Sequence, residues 1–236
     1  IAKQFTTIQE AINDASTLDG HVLVLEPGVY AEDITLNKQL SILGPNAGVN
    51  PNTGSRGPEA IIHPATSDPN YTSPTAVNVI YITLTGSGSQ ISGVTIDGDN
   101  PSIGSGIDAV EAISAYDGVS NVTISENIIK NLAYAGIELY NYTNGGSPTS
   151  GNYITNNKID HLSDVVSGTP YELGVIIYNN CYTEISNNVI TDVRVGVQTG
   201  NFYQANPGFT GSIANNTISS RRRGIFHNLA YALASA

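Results

Sequence analysis

Short apolar runs separated by Gly, Asn and Ser recur along the chain, and in its second half their spacing is regular. Aligning Ile124, Ile154, Ile185 and Ile213 gives steps of 30, 31 and 28 residues. Each run holds two to five apolar residues, which is too short for a helix and typical of a short β-strand. The pattern therefore predicts one supersecondary unit that recurs roughly every 30 residues.

An Asn stands three residues after each aligned Ile, and these residues predict a stacked ladder: Asn127, Asn157, Asn188 and Asn216. Leu is too sparse for a leucine-rich repeat, and the aromatic and His signatures of a propeller blade are absent. The remaining solution is an all-β fold, a single-stranded right-handed parallel β-helix with equivalent strands stacked about 4.8 Å apart. In such a stack the side-chain amides of Asn bond to one another from coil to coil.

The first half of the chain predicts a capping helix and one long loop. Residues 6–15 have apolar residues at helical spacing, and a short helix there would cover the open edge of the first coil. Residues 45–75 are the least regular stretch, and we expect a loop excursion around one strand at 60–63. We predict one domain over residues 1–236, with roughly seven or eight coils. Because the C-terminal end shows no comparable cap, we expect a longer protein, further domains, or packing on another chain there.

Composition and charge exclude several classes of protein. The chain has 236 residues, and its 20 acidic against 9 basic side chains give a net charge of −11, which argues against nucleic-acid binding. No apolar run is long enough for membrane insertion. A single cysteine, Cys181, excludes an internal disulfide framework and a Cys-rich zinc site.

Three segments of the first half resemble a known superfamily. They are Phe5-Thr-Thr-Ile-Gln-Glu-Ala-Ile12, the stretch from Val22 through Pro27-Gly28 to Leu36, and Leu40-Ser-Ile-Leu-Gly44. Together with the Asn-Asn-x-Ile units, they resemble the pectin lyase-like superfamily. The opening is most similar to pectin methylesterases and to bacterial surface proteins with parallel β-helix repeats. The resemblance concerns the scaffold, which hosts lyases, hydrolases, esterases, epimerases and adhesins, so it does not specify a reaction.

Four catalytic signatures of that superfamily do not occur in this chain. The Asp motif of pectin methylesterases lacks a match, since Ile96-Asp-Gly-Asp99 has no flanking aromatic residues. The motifs of polygalacturonases and mannuronan epimerases are missing, and only fragments of the Asp cluster of pectate lyases are present. A scaffold without a complete catalytic set favours a binding protein over an enzyme.

A Gly followed by a β-branched residue marks a second repeated position, and the residues two places later would form one outward column. These are Asp108, Glu138, Ile176, Gln198 and Phe226. If Gly106 and Gly136 lie on adjacent coils, the carboxylates of Asp108 and Glu138 would be about 5 Å apart. Such carboxylates repel unless one is protonated or a cation lies between them, and calcium is the ion that fits oxygen ligands in irregular geometry. Otherwise the two would be ordinary solvated side chains.

Four tyrosines could form an aromatic strip on which sugar rings stack: Tyr140, Tyr142, Tyr178 and Tyr182. The alternative is that they only stabilise the sheet, since Tyr has a high strand propensity.

Catalysis on an acidic polysaccharide would need cations to neutralise the uronate and a base to take the proton. Arg194 and Arg222 occupy equivalent repeat positions, so the catalytic candidates are these two arginines with Asp108 and Glu138. Alternatively, the arginines are loop charges paired with acidic neighbours such as Asp192.

We therefore expect an extracellular carbohydrate-binding or adhesive module of a bacterial surface or secreted protein, with a polysaccharide or glycan as its partner. Two alternatives stay open: a polysaccharide lyase or hydrolase that acts on an acidic glycan, and a structural stalk. Calcium is the one cofactor considered, and neither nucleic acid nor membrane insertion is expected.

Overall fold

The computed structural model describes residues 4–104, 106–141, 149–162, 171–201 and 208–228, and all structural statements refer to these residues. They form one α-helix, α1 (Ile8–Asn13), one short 3-10 helix at Leu84–Gly86, and nineteen strands. The strands are β1 (Val22–Val24), β2 (Gly28–Ala31), β3 (Ile34–Leu36), β4 (Ser41–Leu43), β5 (Ala60–His63), β6 (Asn78–Ile82), β7 (Gln90–Ser92), β8 (Thr95–Asp97), β9 (Glu111–Ala115), β10 (Thr123–Ser125), β11 (Ile128–Lys130), β12 (Ala135–Tyr140), β13 (Asn152–Thr155), β14 (Lys158–Asp160), β15 (Leu173–Tyr178), β16 (Thr183–Ser186), β17 (Val189–Gly200), β18 (Gly211–Ala214) and β19 (Thr217–Asn228).

The strands form three faces around one core. The first face is a seven-stranded sheet in the order β1-β4-β7-β10-β13-β16-β18. The second sheet is folded into two faces, because β17 and β19 each run across both. Its second-face arm is β2-β5-β8-β11-β14 and its third-face arm is β3-β6-β9-β12-β15. Each coil contributes one strand segment to each face, and every pairing between named strands is parallel, which confirms the predicted all-β parallel β-helix.

Inward-facing aliphatic side chains stack on themselves and make up the core. Ile124 is in register with Ile154, Ile154 with Ile185, and Ile185 with Ile213, as the sequence spacing predicts. The first three are completely buried. Because the same residue type stacks at this position in successive coils, the core has the same composition along the axis. Each coil therefore buries apolar side chains of the coil before it.

Asparagine pairs turn the corner between the first and second faces. The side-chain Nδ2 of Asn127 donates to Oδ1 of Asn157 (3.2 Å), that of Asn157 to Asn188 (3.0 Å) and that of Asn188 to Asn216 (2.9 Å). The preceding residue of each pair has a positive φ of about 57°, as at Asn156. Asn tolerates this left-handed conformation better than other non-Gly residues, and it makes the turn before three of the ladder residues, whereas Glu126 (φ 60°) makes it before Asn127.

Helix α1 covers the start of the third face. Thr7 caps it, with its hydroxyl accepting from the Glu10 amide (3.1 Å), and the Glu32 carboxylate accepts from the amides of Ile8 and Gln9 (2.8 Å each). The helix is shorter than predicted, and it packs on β3. Val22, Val24 and Val29, on β1 and β2, remain 53%, 71% and 68% exposed, so the other two faces begin with exposed strands.

The long loop predicted at residues 45–75 contains β5, the strand predicted there. The part of the loop before β5 lies along the corner between the first and second faces, where the asparagine ladder runs. Arg56 Nη1 donates to the backbone oxygen of Glu126 (2.7 Å), and the Gly48 amide donates to the Glu126 carboxylate (2.6 Å). Asn52 Nδ2 donates to the backbone oxygen of Asn157 (3.2 Å). The loop is therefore bonded to two successive coils. These contacts of the loop could not be predicted from the sequence, because the bonded residues lie 70 or more positions away along the chain.

The predicted uncapped C-terminal end lies outside the described residues. Within the described part of the chain, the structure has no helix with both the length and the apolarity needed to cross a membrane.

Candidate functional site

The outer side of the third face carries buried ionisable side chains, and its register differs from the prediction where β9 pairs with β12. Gly136, Gly174, Gly196 and Gly224 do stack, and a Cβ on Gly174 would lie 2.5 Å from the Gly196 oxygen. Gly106, however, lies in a loop with a φ of 103°. Glu111 is opposite Ala135 and Ile113 opposite Ile137, so Ala112 takes the place that the sequence predicted for Gly106.

The predicted pairing of Asp108 with Glu138 is therefore wrong. Glu138 is in register with Ser114 on one side and Ile176 on the other. Asp108 is buried in the loop that joins β8 to β9, where its carboxylate accepts from the Asn100 amide (2.8 Å). The extra residues of that loop shift the register, and the calcium site predicted on Asp108 and Glu138 loses its geometric basis.

The carboxyl neighbour of Glu138 is Glu111. The two side chains are hydrogen-bonded to each other and are 8% and 2% exposed. The Tyr116 hydroxyl donates to Oε2 of Glu111 (2.6 Å). Burial raises the pKa of both carboxyls, and the negative charge of Glu111 raises the pKa of Glu138 further. Glu138 is thus the protonated member, and Glu111 accepts from it and from Tyr116.

Tyrosine rings surround this carboxyl pair. Tyr71, Tyr134 and Tyr171 contact one another with centroid separations of 5.0–5.1 Å. Tyr134 precedes Ala135, the residue opposite Glu111. Burial raises the pKa of Tyr134, and the charges of Glu138 and Glu111 raise it further. The outer side of the third face therefore carries a second apolar cluster next to the buried carboxyl pair. Its buried members are Ala135, Tyr140, Leu173, Ile176, Tyr178 and Val195.

The predicted sugar-stacking strip is not formed as an exposed surface. Tyr140 and Tyr178 meet edge to face at 6.0 Å, but they are only 6% and 2% exposed, because they pack into the second apolar cluster. Tyr182 is half-buried and donates its hydroxyl to Glu184 (3.0 Å). Tyr142 lies outside the described residues.

The predicted catalytic residues are not brought together. Arg194 and Arg222 lie on neighbouring strands, where β17 and β19 bend between the second and third faces. Glu138 is two strands from β17, a separation of about 10 Å from strand spacing alone. The carboxyls of Glu111 and Glu138 are themselves too close for a glycosidase pair, which needs about 5–9.5 Å between the two carboxyls to admit the sugar bond or a water.

The sequence also offered Asp192 as an ion-pair partner for the candidate arginines. In the structure Arg221, rather than Arg222, forms ion pairs with Asp192 and Glu172.

An open groove of about 320 Å³ lies on the third face beside this cluster. We call it the third-face groove. Its polar and aromatic lining comes from β3, β6 and the loops next to them: Asp33, Thr35, Thr66, Thr75, Asn78 and Tyr81. Asn78 connects the groove to the carboxyl pair, because its Nδ2 donates to the Tyr116 hydroxyl (3.1 Å). The sequence did not single out these residues, which come from three separate parts of the chain.

Comparison with known proteins gives one match to a named protein. A segment of 41 residues is 51% identical to part of a protein named cell surface glycoprotein from Methanothermus fervidus. The segment is 17% of this chain and 7% of that protein, so the chain spans a small part of its relative. No solved structure matches the chain.

A family described as the right-handed β-helix region matches residues 79–233, well over half of the chain. The matched range begins in β6 and includes every later strand, so it contains both the asparagine ladder and the carboxyl pair. The chain therefore belongs to the right-handed β-helix family.

Proposed function

We propose that this chain is the carbohydrate-binding module of a cell-surface protein and that the third-face groove binds the sugar. The observation that carries the proposal is the lining of the groove, which combines hydroxyl, amide and carboxylate groups with one aromatic ring. A volume of about 320 Å³ is at the lower end for ligand sites and suits one sugar unit or the end of a glycan.

The polar groups of the groove match the hydroxyls of a sugar. Thr66 and Thr75 donate their own hydroxyl protons to Asp33 and Asp68 (2.7 Å each), so their oxygens are oriented to accept from a ligand. Thr35 is exposed on β3 and can donate or accept. The half-buried ring of Tyr81 offers an apolar surface, and its hydroxyl is held by Asp117 (3.1 Å).

The charge of the groove favours a neutral glycan. Among the described residues that line it, Asp33 is the one charged side chain, and the chain as a whole has a net charge of −11. An acidic polysaccharide would be repelled. This argues against the lyase or hydrolase alternative, which requires an acidic glycan.

A surface location is supported by the matched segment of the cell surface glycoprotein. That match does not address the prediction of a bacterial source, which stays a prediction.

The proposal is tested with a glycan array, followed by titration of any ligand found. Tyr81→Ala should weaken binding about tenfold or more, because it removes the stacking surface. Tyr153→Ala is the matched control, since Tyr153 is 40% exposed on the first face. Thr35→Val, which keeps the side-chain shape, should also weaken binding. Absence of any glycan ligand, or equal effects of the two tyrosine variants, would contradict the proposal.

A further inference from the structure

The loop between β5 and β6 contains the triplet Asn70-Tyr71-Thr72, which has the Asn-x-Thr form of an acceptor for N-linked glycans. The triplet lies in a tight turn, closed by a hydrogen bond from the Ser73 amide to the backbone oxygen of Asn70 (2.8 Å). Asp68 holds this turn, because its carboxylate accepts from the Asn70 amide (3.2 Å) and from the Ser73 hydroxyl (2.6 Å). The acceptor sequence therefore has a defined conformation.

The side chain of Asn70 has the hydrogen bonds that favour glycan attachment. Its Oδ1 accepts from both the amide (3.1 Å) and the hydroxyl (2.8 Å) of Thr72. The sugar is joined to Nδ2, which must lose a proton, and the negative charge that develops is shared with Oδ1. Two donors directed at Oδ1 stabilise that charge. Within the described part of the chain no group accepts from Nδ2 of Asn70, so this nitrogen is available for reaction.

The turn is accessible to an enzyme, and its position on the third face is fixed. Thr72 is exposed and Asn70 is half-buried. Tyr71, between them, stacks on Tyr134 with ring centroids 5.1 Å apart and meets Tyr171 edge to face at 5.0 Å. Tyr71 therefore anchors the turn, while Thr72 stays open to solvent. Surface loops of this kind are where N-linked glycans are carried.

The chain has three further Asn-x-Thr triplets, which begin at Asn121, Asn141 and Asn215. The amides of Thr123 and Thr217 each donate to a backbone oxygen of a neighbouring coil (2.9 and 2.8 Å), so neither is available to the Asn of its own triplet. Asn141 is only 4% exposed, and Thr143 lies outside the described residues. The folded chain therefore favours Asn70 over the other triplets.

We propose that Asn70 is a site of N-linked glycosylation. The donor would be an oligosaccharide joined to a lipid through phosphate, and a transferase would catalyse the step. A bond forms between Nδ2 and C1 of the first sugar, and the bond between C1 and the phosphate oxygen breaks. The lipid phosphate leaves with the electron pair, and the proton of Nδ2 passes to a base of the transferase.

The glycosylation site is separate from the third-face groove, because Asn70 is not among the residues that line the groove. The proposal rests on the surface location proposed above, since export brings a chain to the transferase. It does not depend on sugar binding in the groove.

Glycosylation of the folded chain in vitro tests the proposal. The chain is incubated with an oligosaccharyltransferase and a lipid-linked oligosaccharide, and mass spectrometry of its peptides measures the occupied fraction of each triplet. We expect occupancy at Asn70 to be several-fold higher than at Asn121 and Asn215. Those two residues are exposed and belong to the same type of triplet, so they control for accessibility and sequence. Isolated peptides of the three triplets should show no such preference, because their Thr amides are not held by neighbouring coils.

Variants assign the site and test the role of the turn. Asn70→Gln should remove the glycan, and Asn215→Gln should leave it. Asp68→Ala, which loosens the turn but keeps the triplet, should lower the occupancy of Asn70 several-fold. Absence of a glycan on Asn70 in the wild type, or equal occupancy at Asn121 or Asn215, would overturn the proposal. If the unmodified wild type still binds a glycan in the groove, this proposal fails alone and the proposed function stands.

Discussion

Glu111 and Glu138 come from adjacent strands, and their carboxyl groups share a hydrogen bond at positions that are 2% and 8% exposed. Two such buried groups repel each other when both are ionised, so one of them carries a proton. This makes stability depend on pH.

The stability of the wild type should fall as the pH rises above the ordinary pKa of glutamate. The pKa of Glu138 is raised in the folded state, so above the ordinary glutamate pKa the folded chain binds more protons than the unfolded chain. The stabilising contribution is therefore complete at low pH and is lost as the pH passes the folded-state pKa.

Glu138→Gln should flatten this dependence, because the amide donates to Glu111 at every pH. Near pH 8 the variant should unfold at a higher temperature than the wild type, by roughly 2–4 °C for each kcal/mol gained. Thermal melts across the pH range check this, with Glu26→Gln as the control that keeps the wild-type slope. A variant slope as steep as that of the wild type would show that the pair does not titrate as described.

Gly174→Ala should destabilise the protein by about 1–3 kcal/mol. The new Cβ would lie 2.5 Å from the Gly196 oxygen and 2.6 Å from Ile190 Cγ2, so neighbouring coils would have to separate. Gly224→Ala is a matched control in the same column, because its Cβ would meet no atom of the described residues within 4 Å. Chemical denaturation of both variants measures the difference, and equal losses would contradict the stacked register.

Asn157→Ala should lower the free energy of unfolding by about 3 kcal/mol or more, since each buried group left unpaired costs about 1–3 kcal/mol. The change removes the partner of the Asn127 amide (3.0 Å) and of the Ile124 oxygen (2.9 Å), and it removes one of the two donors to Asn188 Oδ1 (3.0 Å), which keeps the Asn157 amide. Asn37→Ala, at an exposed position, should change stability little. Urea denaturation compares the two variants, and similar values would mean that the ladder contributes no special stability.

Cys181 should not react with a thiol reagent in the folded protein. Burial raises the pKa of its thiol to about 12, so the reactive thiolate is scarce at neutral pH. A colorimetric thiol assay should show reaction only after unfolding in guanidinium. Fast reaction of the native protein would place Cys181 at the surface.

The stacked core and the asparagine ladder were predictable because each depends on one residue type at a constant spacing. Ile124, Ile154 and Ile185 fall into register as soon as the repeats are aligned, and Asn157 and Asn188 follow from the same alignment. In a solenoid each coil contacts only its neighbours, so sequence spacing translates directly into spatial stacking.

The carboxyl pair was missed because the alignment relied on glycine. The loop between β8 and β9 contains Gly106, and the true ladder position has Ala112, so Glu111 was never placed beside Glu138. Aligning the apolar residues Ile113 and Ile137 would have found the correct register. The third-face groove was missed for a different reason, because Asp33, Thr66 and Tyr81 meet only through loops whose docking no repeat specifies.

Hydrogen–deuterium exchange with and without a bound glycan tests the central claim most directly. If the third-face groove binds the sugar, the ligand should slow amide exchange in residues 33–36 and 64–82. Exchange in β10 and β13 of the first face should stay unchanged. Protection confined to the first or second face, with none around Thr35 and Tyr81, would contradict the account.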